Sequence, residues 1–474
     1  MIYMVKTHNC ASHHDSKDAQ IVRLNNKSNL MKHILILGAG MSSGTLIRYL
    51  EQQAPAYGWK ISVGDRDLAL AKQKTNPPTR IFPVDTAHTA QLEAEISGAD
   101  LVISLLPARF HPLVAIACLK LGKSLVTASY ESPEMKKMAE DVKAKGLLFL
   151  NECGLDPGID HMSAMHVIDR IRDEGHRLTG FESFTGGLVA PGSDDNPWHY
   201  KFSWNPTNVV LAGWPGPAKF IQCGKLKYIP YTRLFRRTEF MDIDGFGRFE
   251  GYANRDSLQY IEKYNLQGIE TIYRGTLRRP GFSQAWNIFV QLGATDNSYV
   301  MENSGAMTHR EFINSFLYYH PSDSVEVKLY RAFHIDQDSP LVEMLEWLDI
   351  FSNEQVGIAY GTPAQMLEAI LGKKWKLQPE DKDLVVMWHK FSYLDKVTGK
   401  TINLTSSMGL TGEDSGHTAM AKTVGLPLGI AAKLILTGKL NLTGLYIPTI
   451  REIYSPLLEE LSAAGITFTE KVLN

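Results

Sequence analysis

His33-Ile34-Leu35-Ile36-Leu37-Gly38-Ala39-Gly40-Met41-Ser42-Ser43-Gly44 runs an apolar strand into a glycine turn and then a helix. A strand that is apolar at successive positions has both faces covered, which points to a parallel α/β sheet. The turn leaves backbone N–H groups free at a helix N-terminus, where the positive end of the dipole suits a pyrophosphate. Gly38 and Gly40 fit the first two glycines of the dinucleotide fingerprint, while Ser43 stands at the third position and Gly44 follows one residue late. The pattern marks a nicotinamide dinucleotide binder.

The alternation continues to about Gly158. Strands are expected at His33–Leu37, Lys60–Val63, Arg80–Val84, Leu101–Leu105, Ser124–Ala128 and Leu147–Leu150, with helices between them, among them one over Pro133–Ala144. Ligands of such sheets sit beyond the carboxyl ends of the strands. Those ends are Gly38–Ser42, Gly64–Asp67, Asp85, Leu105–Pro107, Thr127–Tyr130 and Asn151–Asp156. After a helix at about Asp160–Asp173 the alternation stops. Strand-like runs (Phe181–Thr185, Glu270–Leu277), a helical stretch over 308–372 that includes Leu341–Phe351, and a hairpin from Asp383–Leu394 to Thr401–Ser407 follow. An apolar helix over Gly416–Leu436 and a final strand over Gly465–Val472 complete the pattern.

The expected organisation is a polar, disordered tail over 1–30, a nucleotide domain over 31–158 and a mixed α/β substrate domain over 159–415. The substrate domain carries a helical insertion at about 300–375, and residues 416–474 return to the nucleotide domain. A length of 474 residues accommodates two or three cores. The 49 Lys and Arg nearly balance the 51 Asp and Glu, which speaks against nucleic acid or anionic lipid as partners. The apolar run at Leu426–Leu436 is too short for a bilayer. Cys10, Cys118, Cys153 and Cys223 are scattered, as free thiols of a reducing cytoplasm are. His8, His13 and His14 lie near Cys10 in the tail, and no metal site is expected.

Asp65 ends the second strand roughly 20–25 residues past the turn, where a carboxylate bonds the adenosine ribose. Arg66 follows and suits a 2′-phosphate. The pair leans to NADP while Asp65 admits NAD. In Asn151 to His161, Pro157 and Gly158 turn the chain, Asp160 is placed to cap the next helix, and Asp156 faces the crevice. His161 reads as structural more readily than as a proton carrier. Asp195 to Trp204 mixes aromatics with polar ends, fit either for a pocket wall or for a core strand. Arg255, Arg274, Arg278 and Arg279 are either carboxylate forks or surface arginines paired with Asp256 or Glu270.

Taken together, these segments resemble the saccharopine reductases, the glutamate-forming saccharopine dehydrogenase family, from about Met31 to Asn474. The most specific pieces are Val126 to Tyr130, Asn151 to His161, Gly186 to Pro191, Asp195-Asn196-Pro197, Tyr200 to Trp204, Asn254 to Ser257, Arg274 to Arg278 and Ala419 to Lys422. The resemblance implies a variant Rossmann parallel-sheet domain with an inserted mixed α/β substrate domain and a small helical part. It implies reduction by NADPH of the imine between 2-aminoadipate 6-semialdehyde and L-glutamate to saccharopine, or the reverse, in lysine metabolism. The nearest rival is the carboxynorspermidine-forming imine reduction of polyamine synthesis. By position, Gly38, Gly40, Met41, Ser42, Asp65, Arg66, Asp67, Asp85, Leu105, Thr127, Ala128, Gly154, Leu155, Asp156 and Trp204 would contact the dinucleotide. Ser129, Tyr130, Asp156, Arg255, Thr276, Leu277 and Arg278 would face small amino-acid substrates, with Arg255 and Arg278 clamping carboxylates and Asp156 and Tyr130 serving the chemistry. A homodimer is in keeping with the family. Two positions depart from it: Asp65 stands where fungal relatives carry cysteine, and Ala108-Arg109 where Tyr-Thr is common.

Overall fold

A computed structural model describes residues 31–86 and 88–473. The expectations for the tail, including Cys10 and its histidines, lie outside the described residues. Six parallel strands follow the first alternation: β1 (His33–Leu37), β2 (Lys60–Asp65), β3 (Arg80–Pro83), β4 (Leu101–Ser104), β5 (Ser124–Thr127) and β6 (Leu148–Leu150). Their order in the sheet is β6-β5-β4-β1-β2-β3, so the chain reverses direction at β1, beside the glycine turn. Helices Ser43–Tyr57 and His111–Leu121 are among those that fill the crossovers. The helix expected over Pro133–Ala144 is two, Pro133–Lys136 and Ala139–Ala144, because Met138 bonds back only three residues, to Met135, and tightens the turn.

The second sheet contains β7 (Arg177–Val189), β8 (Ala218–Gln222), β9 (Lys225–Ile229), β10 (Thr238–Ile243), β11 (Gly247–Ala253), β12 (Thr271–Arg278), β13 (Asp383–Leu394) and β14 (Thr401–Thr411). Its main path is β10-β11-β12-β7-β13-β14, antiparallel apart from the β12–β7 pair. Four helices, His309–Asn314, Val325–Phe333, Pro340–Trp347 and Pro363–Lys374, form the helical part. The third of them stops before the expected Phe351, and Asp349 takes a left-handed conformation.

The C-terminal stretch serves both sheets. β15 (Gly444–Tyr446) adds a seventh parallel strand beside β6, whereas β16 (Thr469–Leu473) pairs antiparallel with β14. Helix Ala419–Leu436 is, among the described residues, the one long and apolar enough to cross a membrane, but 78% of it is buried inside the protein. Gly425 lets it cross the first helix closely: an added Cβ would lie 2.9 Å from the Leu46 nitrogen and 3.0 Å from the Ser42 carbonyl oxygen. The largest apolar core runs without a break from Ile34 and Leu46 through Met162 and Ile168 to Val385 and Phe391. It therefore joins the two sheets.

Candidate active site

The nucleotide end is built by the strand termini. Gly38 adopts φ +103°, and a Cβ there would lie 3.0 Å from the Leu105 carbonyl group, so the β1 turn can hug β4 only as glycine. A Cβ on Gly40 would meet nothing within 4 Å, which leaves the turn open above. Met41 is exposed, and Ser42, at the N-cap, makes no side-chain capping bond, so the helix presents first-turn N–H groups to a ligand. These features fit a dinucleotide pyrophosphate.

Both oxygens of Asp65 are engaged by backbone, one by Ala39 N–H at 2.5 Å and the other by Asp67 N–H at 2.7 Å. Asp67 in turn caps helix Leu68–Lys74. Arg66 is exposed and makes no ion pair among the described residues, and Asp85 lies past β3 with His88 Nδ1 at 3.2 Å. Sequence reasoning passed over His111. It lies buried below the β4 and β5 ends, with Nδ1 3.0 Å from Ser104 Oγ and Nε2 2.7 Å from Ser129 Oγ and 3.3 Å from Thr127 Oγ1. Burial pushes its pKa down to about 4, so a neutral ring orients those hydroxyls. Ala128 packs under Gly154, whose added Cβ would lie 3.0 Å from the Ala128 Cβ. Gly158 sits so tightly against Gly154 that a Cβ would come within 2.1 Å of its carbonyl oxygen. This knot buries Leu155 and fixes Asp156 at the rim.

Asp156 meets the second sheet there. The Arg274 guanidinium, 4% exposed, donates to Asp156 Oδ1 at 2.6 Å and to Asp160 Oδ2 at 2.7 Å, and lies 3.9 Å over the Tyr260 ring. Asp160 is therefore not the helix cap. Gly158 holds that position, and the other Asp160 oxygen accepts the Gly158 N–H at 2.6 Å. Tyr130 donates its hydroxyl to Asp156 Oδ1 at 3.2 Å. Tyr130 is 39% exposed overall, but crowding around its hydroxyl, and then the Asp156 charge, push its pKa up and keep it a donor. Beneath lies a second buried network, in which Glu152 receives Lys263 Nζ at 2.8 Å and His161 Nε2 at 2.6 Å, while His161 Nδ1 meets Tyr264 Oη at 2.7 Å. Burial would raise the Glu152 pKa, but the bond from His161 and the nearby cations hold it down at about 2. His161 is thus a structural histidine, away from solvent.

Alternation along β12 puts Arg274, Thr276 and Arg278 on one face and Leu277, fully buried against Gly186 of β7, on the other. Leu277 cannot offer its side chain to a ligand on the Arg278 face. Arg278 is 2% exposed and stands among the rings of Tyr200, Phe282 and Tyr252 at 4.9, 5.2 and 5.8 Å. Its guanidinium donates to the neighbouring Leu277 carbonyl at 2.8 Å, and among the described residues no carboxylate pairs with it. Glu250, its register partner on β11, is engaged instead by the Ser283 and Gly281 N–H groups. Arg278 Nε, Thr185 Oγ1 and Ser203 Oγ are buried without a hydrogen-bond partner among the described residues. A Cβ added at Gly187 on β7 would approach Met420, Ser203 and Trp204, which places half-buried Trp204 beside the start of the helix that crosses Ser42. Arg255, by contrast, is exposed with φ +43°, and among the described residues its guanidinium bonds no group. Its backbone lies one residue from Asn254, which bonds Arg274. Arg274 is the arginine that meets Asp156, and only distance in the fold, not sequence, separates it from the surface alternative.

Residues 34–150 match the family model of the saccharopine dehydrogenase NADP binding domain, and residues 154–466 match that of the saccharopine dehydrogenase C-terminal domain. The saccharopine dehydrogenase [NADP(+), L-glutamate-forming] of Schizosaccharomyces pombe is 33% identical over 94% of this chain and 100% of its own. The mitochondrial alpha-aminoadipic semialdehyde synthase of Mus musculus is 35% identical over 92% of this chain, which spans 47% of that relative's length. In structure, the apo saccharopine dehydrogenase (L-Glu forming) of Saccharomyces cerevisiae superposes with a TM-score of 0.82 over 94% of this chain and 100% of its own, at 29% identity. Likeness in sequence and fold from the glycine turn through the arginine-bearing second sheet makes this chain a member of the saccharopine dehydrogenase family.

Proposed function

We propose that the chain interconverts saccharopine with 2-aminoadipate 6-semialdehyde and L-glutamate, using NADP(H). The observation that carries this reading is Arg278, a buried guanidinium that pairs with no carboxylate among the described residues, stands beside the Tyr200 ring and leaves its own Nε without a partner. A buried charge without a partner is costly, and a substrate carboxylate held bidentately relieves that cost. Arg255, free at the surface, is the second proposed carboxylate anchor. Thr276 shares the Arg278 face, and Ser129, oriented by His111, borders the strand ends.

The turn at Gly38–Ser42, the Leu105 and Thr127–Ala128 backbone and Trp204 would hold the dinucleotide. When bound, it supplies or accepts a hydride at the imine carbon. Asp156, fixed by Arg274 and Tyr130, places negative charge beside the imine and so favours its protonated form, whose carbon takes a hydride more readily than that of the neutral imine. Tyr130, kept protonated, donates a hydrogen bond at the same place. The carboxynorspermidine alternative is disfavoured, because a polyamine would bring further cations toward Arg278, a buried guanidinium that calls for an anion.

The test is an absorbance assay at the reduced-nicotinamide band with purified protein. NADPH is expected to form with saccharopine and NADP+. Turnover of carboxynorspermidine with none of saccharopine would overturn the assignment.

A further inference from the structure

The glycine turn carries an unbalanced charge arrangement. Lys74, at the end of the helix that follows β2, reaches back and donates to the Gly40 carbonyl. Its ammonium therefore stands at the positive end of the Ser43–Tyr57 helix, where a cation is disfavoured and an anion favoured. Among the described residues no carboxylate lies within ion-pair distance of it, although the Asp65 charge acts on it. Asp65, the nearest acid in the chain's electrostatic field, has both oxygens engaged by Ala39 and Asp67 N–H, and Asp67 is engaged in capping. Arg66, beside them, is exposed and without an ion pair among the described residues. Two acids whose oxygens are held by backbone thus sit next to two bases that make no direct ion pair among the described residues. Burial also pushes the Lys74 pKa down, so the ammonium is held there at a cost that a bound anion removes.

We propose that Lys74, together with Arg66, holds the 2′-phosphate of NADP, and that Asp65 positions the glycine turn rather than reading the ribose. The acid that admits NAD on sequence grounds then does not repel a phosphate, because its charge is spent on two N–H groups and offset by the ammonium. The inference rests on the turn binding a dinucleotide at all, and the measurements separate the two claims.

Binding of NADPH, NADH, 2′-AMP and 5′-AMP to the apoprotein is measured by calorimetry for the natural chain, Lys74→Gln and Lys74→Arg. Losing a charge-assisted phosphate contact corresponds to about a 10- to 100-fold weakening. Lys74→Gln should weaken NADPH and 2′-AMP by that factor and leave NADH and 5′-AMP within about 2-fold, and Lys74→Arg should restore most of the loss. Asp65→Asn should weaken both dinucleotides alike. Equal weakening of NADPH and NADH by Lys74→Gln, or no weakening, overturns the assignment. A natural chain that binds neither dinucleotide overturns the dinucleotide reading itself. A lowered melting temperature for Lys74→Gln with unchanged NADPH/NADH discrimination would make Lys74 a support of the turn only and would also overturn it.

Discussion

Arg278 and Arg274 are both buried arginines on one face of one strand, yet their surroundings assign them opposite duties. Arg274 has its two carboxylates in place. Removing it strands two acids, so Arg274→Ala should lower unfolding free energy by about 3–5 kcal/mol, read from urea denaturation. Arg278 has none. Arg278→Met keeps the aliphatic stem between the rings and removes an unpaired buried charge, which is neutral or stabilising in the empty protein. It should raise the Michaelis constant for saccharopine by about 100-fold, with NADPH affinity and melting temperature held or improved. A fall in melting temperature without a change in that constant would show Arg278 to be a core residue only. Tyr130→Phe, which loses a donor to Asp156 but no packing, is expected to lower turnover about 10-fold at unchanged stability.

At the scale of elements, the site depends on how closely helix Ala419–Leu436 lies on the first helix. Backbone, not a movable side chain, faces Gly425, so Gly425→Ala must push the helices apart at Ser42. A loss of about 1–3 kcal/mol is expected, with a weakened affinity for NADPH in fluorescence titration. Gly429 faces the Tyr49 ring, which can turn, and Gly429→Ala should disturb nucleotide binding less. The elements themselves were legible where local pattern decides them: β1 to β6 begin and end within about two residues of their expected positions because apolar runs and glycine turns are local signals. The Asp383–Leu394 hairpin was legible for the same reason. Pairing across sequence was not. Nothing near Arg274 announces Asp156 and Asp160, more than a hundred residues earlier, and nothing near His111 announces Ser129. Arg255 and Arg274 look alike in sequence, and only the pairing of β12 with β7 and β11 buries one and leaves the other in solvent.

For the whole molecule, the unbroken core between Ile34 and Phe391 means that neither sheet buries its apolar face alone. Fluorescence and circular dichroism should therefore report one coincident urea transition. The same burial sets the response to acid. His389, enclosed between Ser163 and Ser183, has its pKa pushed down to about 3 by burial and then by the Arg274 charge, and His111 is pushed down to about 4 by burial. Both histidines are neutral when folded and take a proton near pH 6.5 when unfolded. The unfolded chain binds more protons below that pH, so stability is whole above about 6.5 and falls as pH drops toward about 4. At pH 5 each histidine withdraws about 2 kcal/mol. Asp383, pushed up to about 6 by burial at the start of helix Ala419–Leu436, works in the opposite sense and offsets part of the loss. His389→Asn removes one titrating ring from the shared core. Its unfolding free energy should be lower than that of the natural chain at pH 7.5, but it should fall by about 2 kcal/mol less between pH 7.5 and 5. An equal fall in the two proteins would mean that His389 is protonated inside the folded core, against the burial that separates it from water.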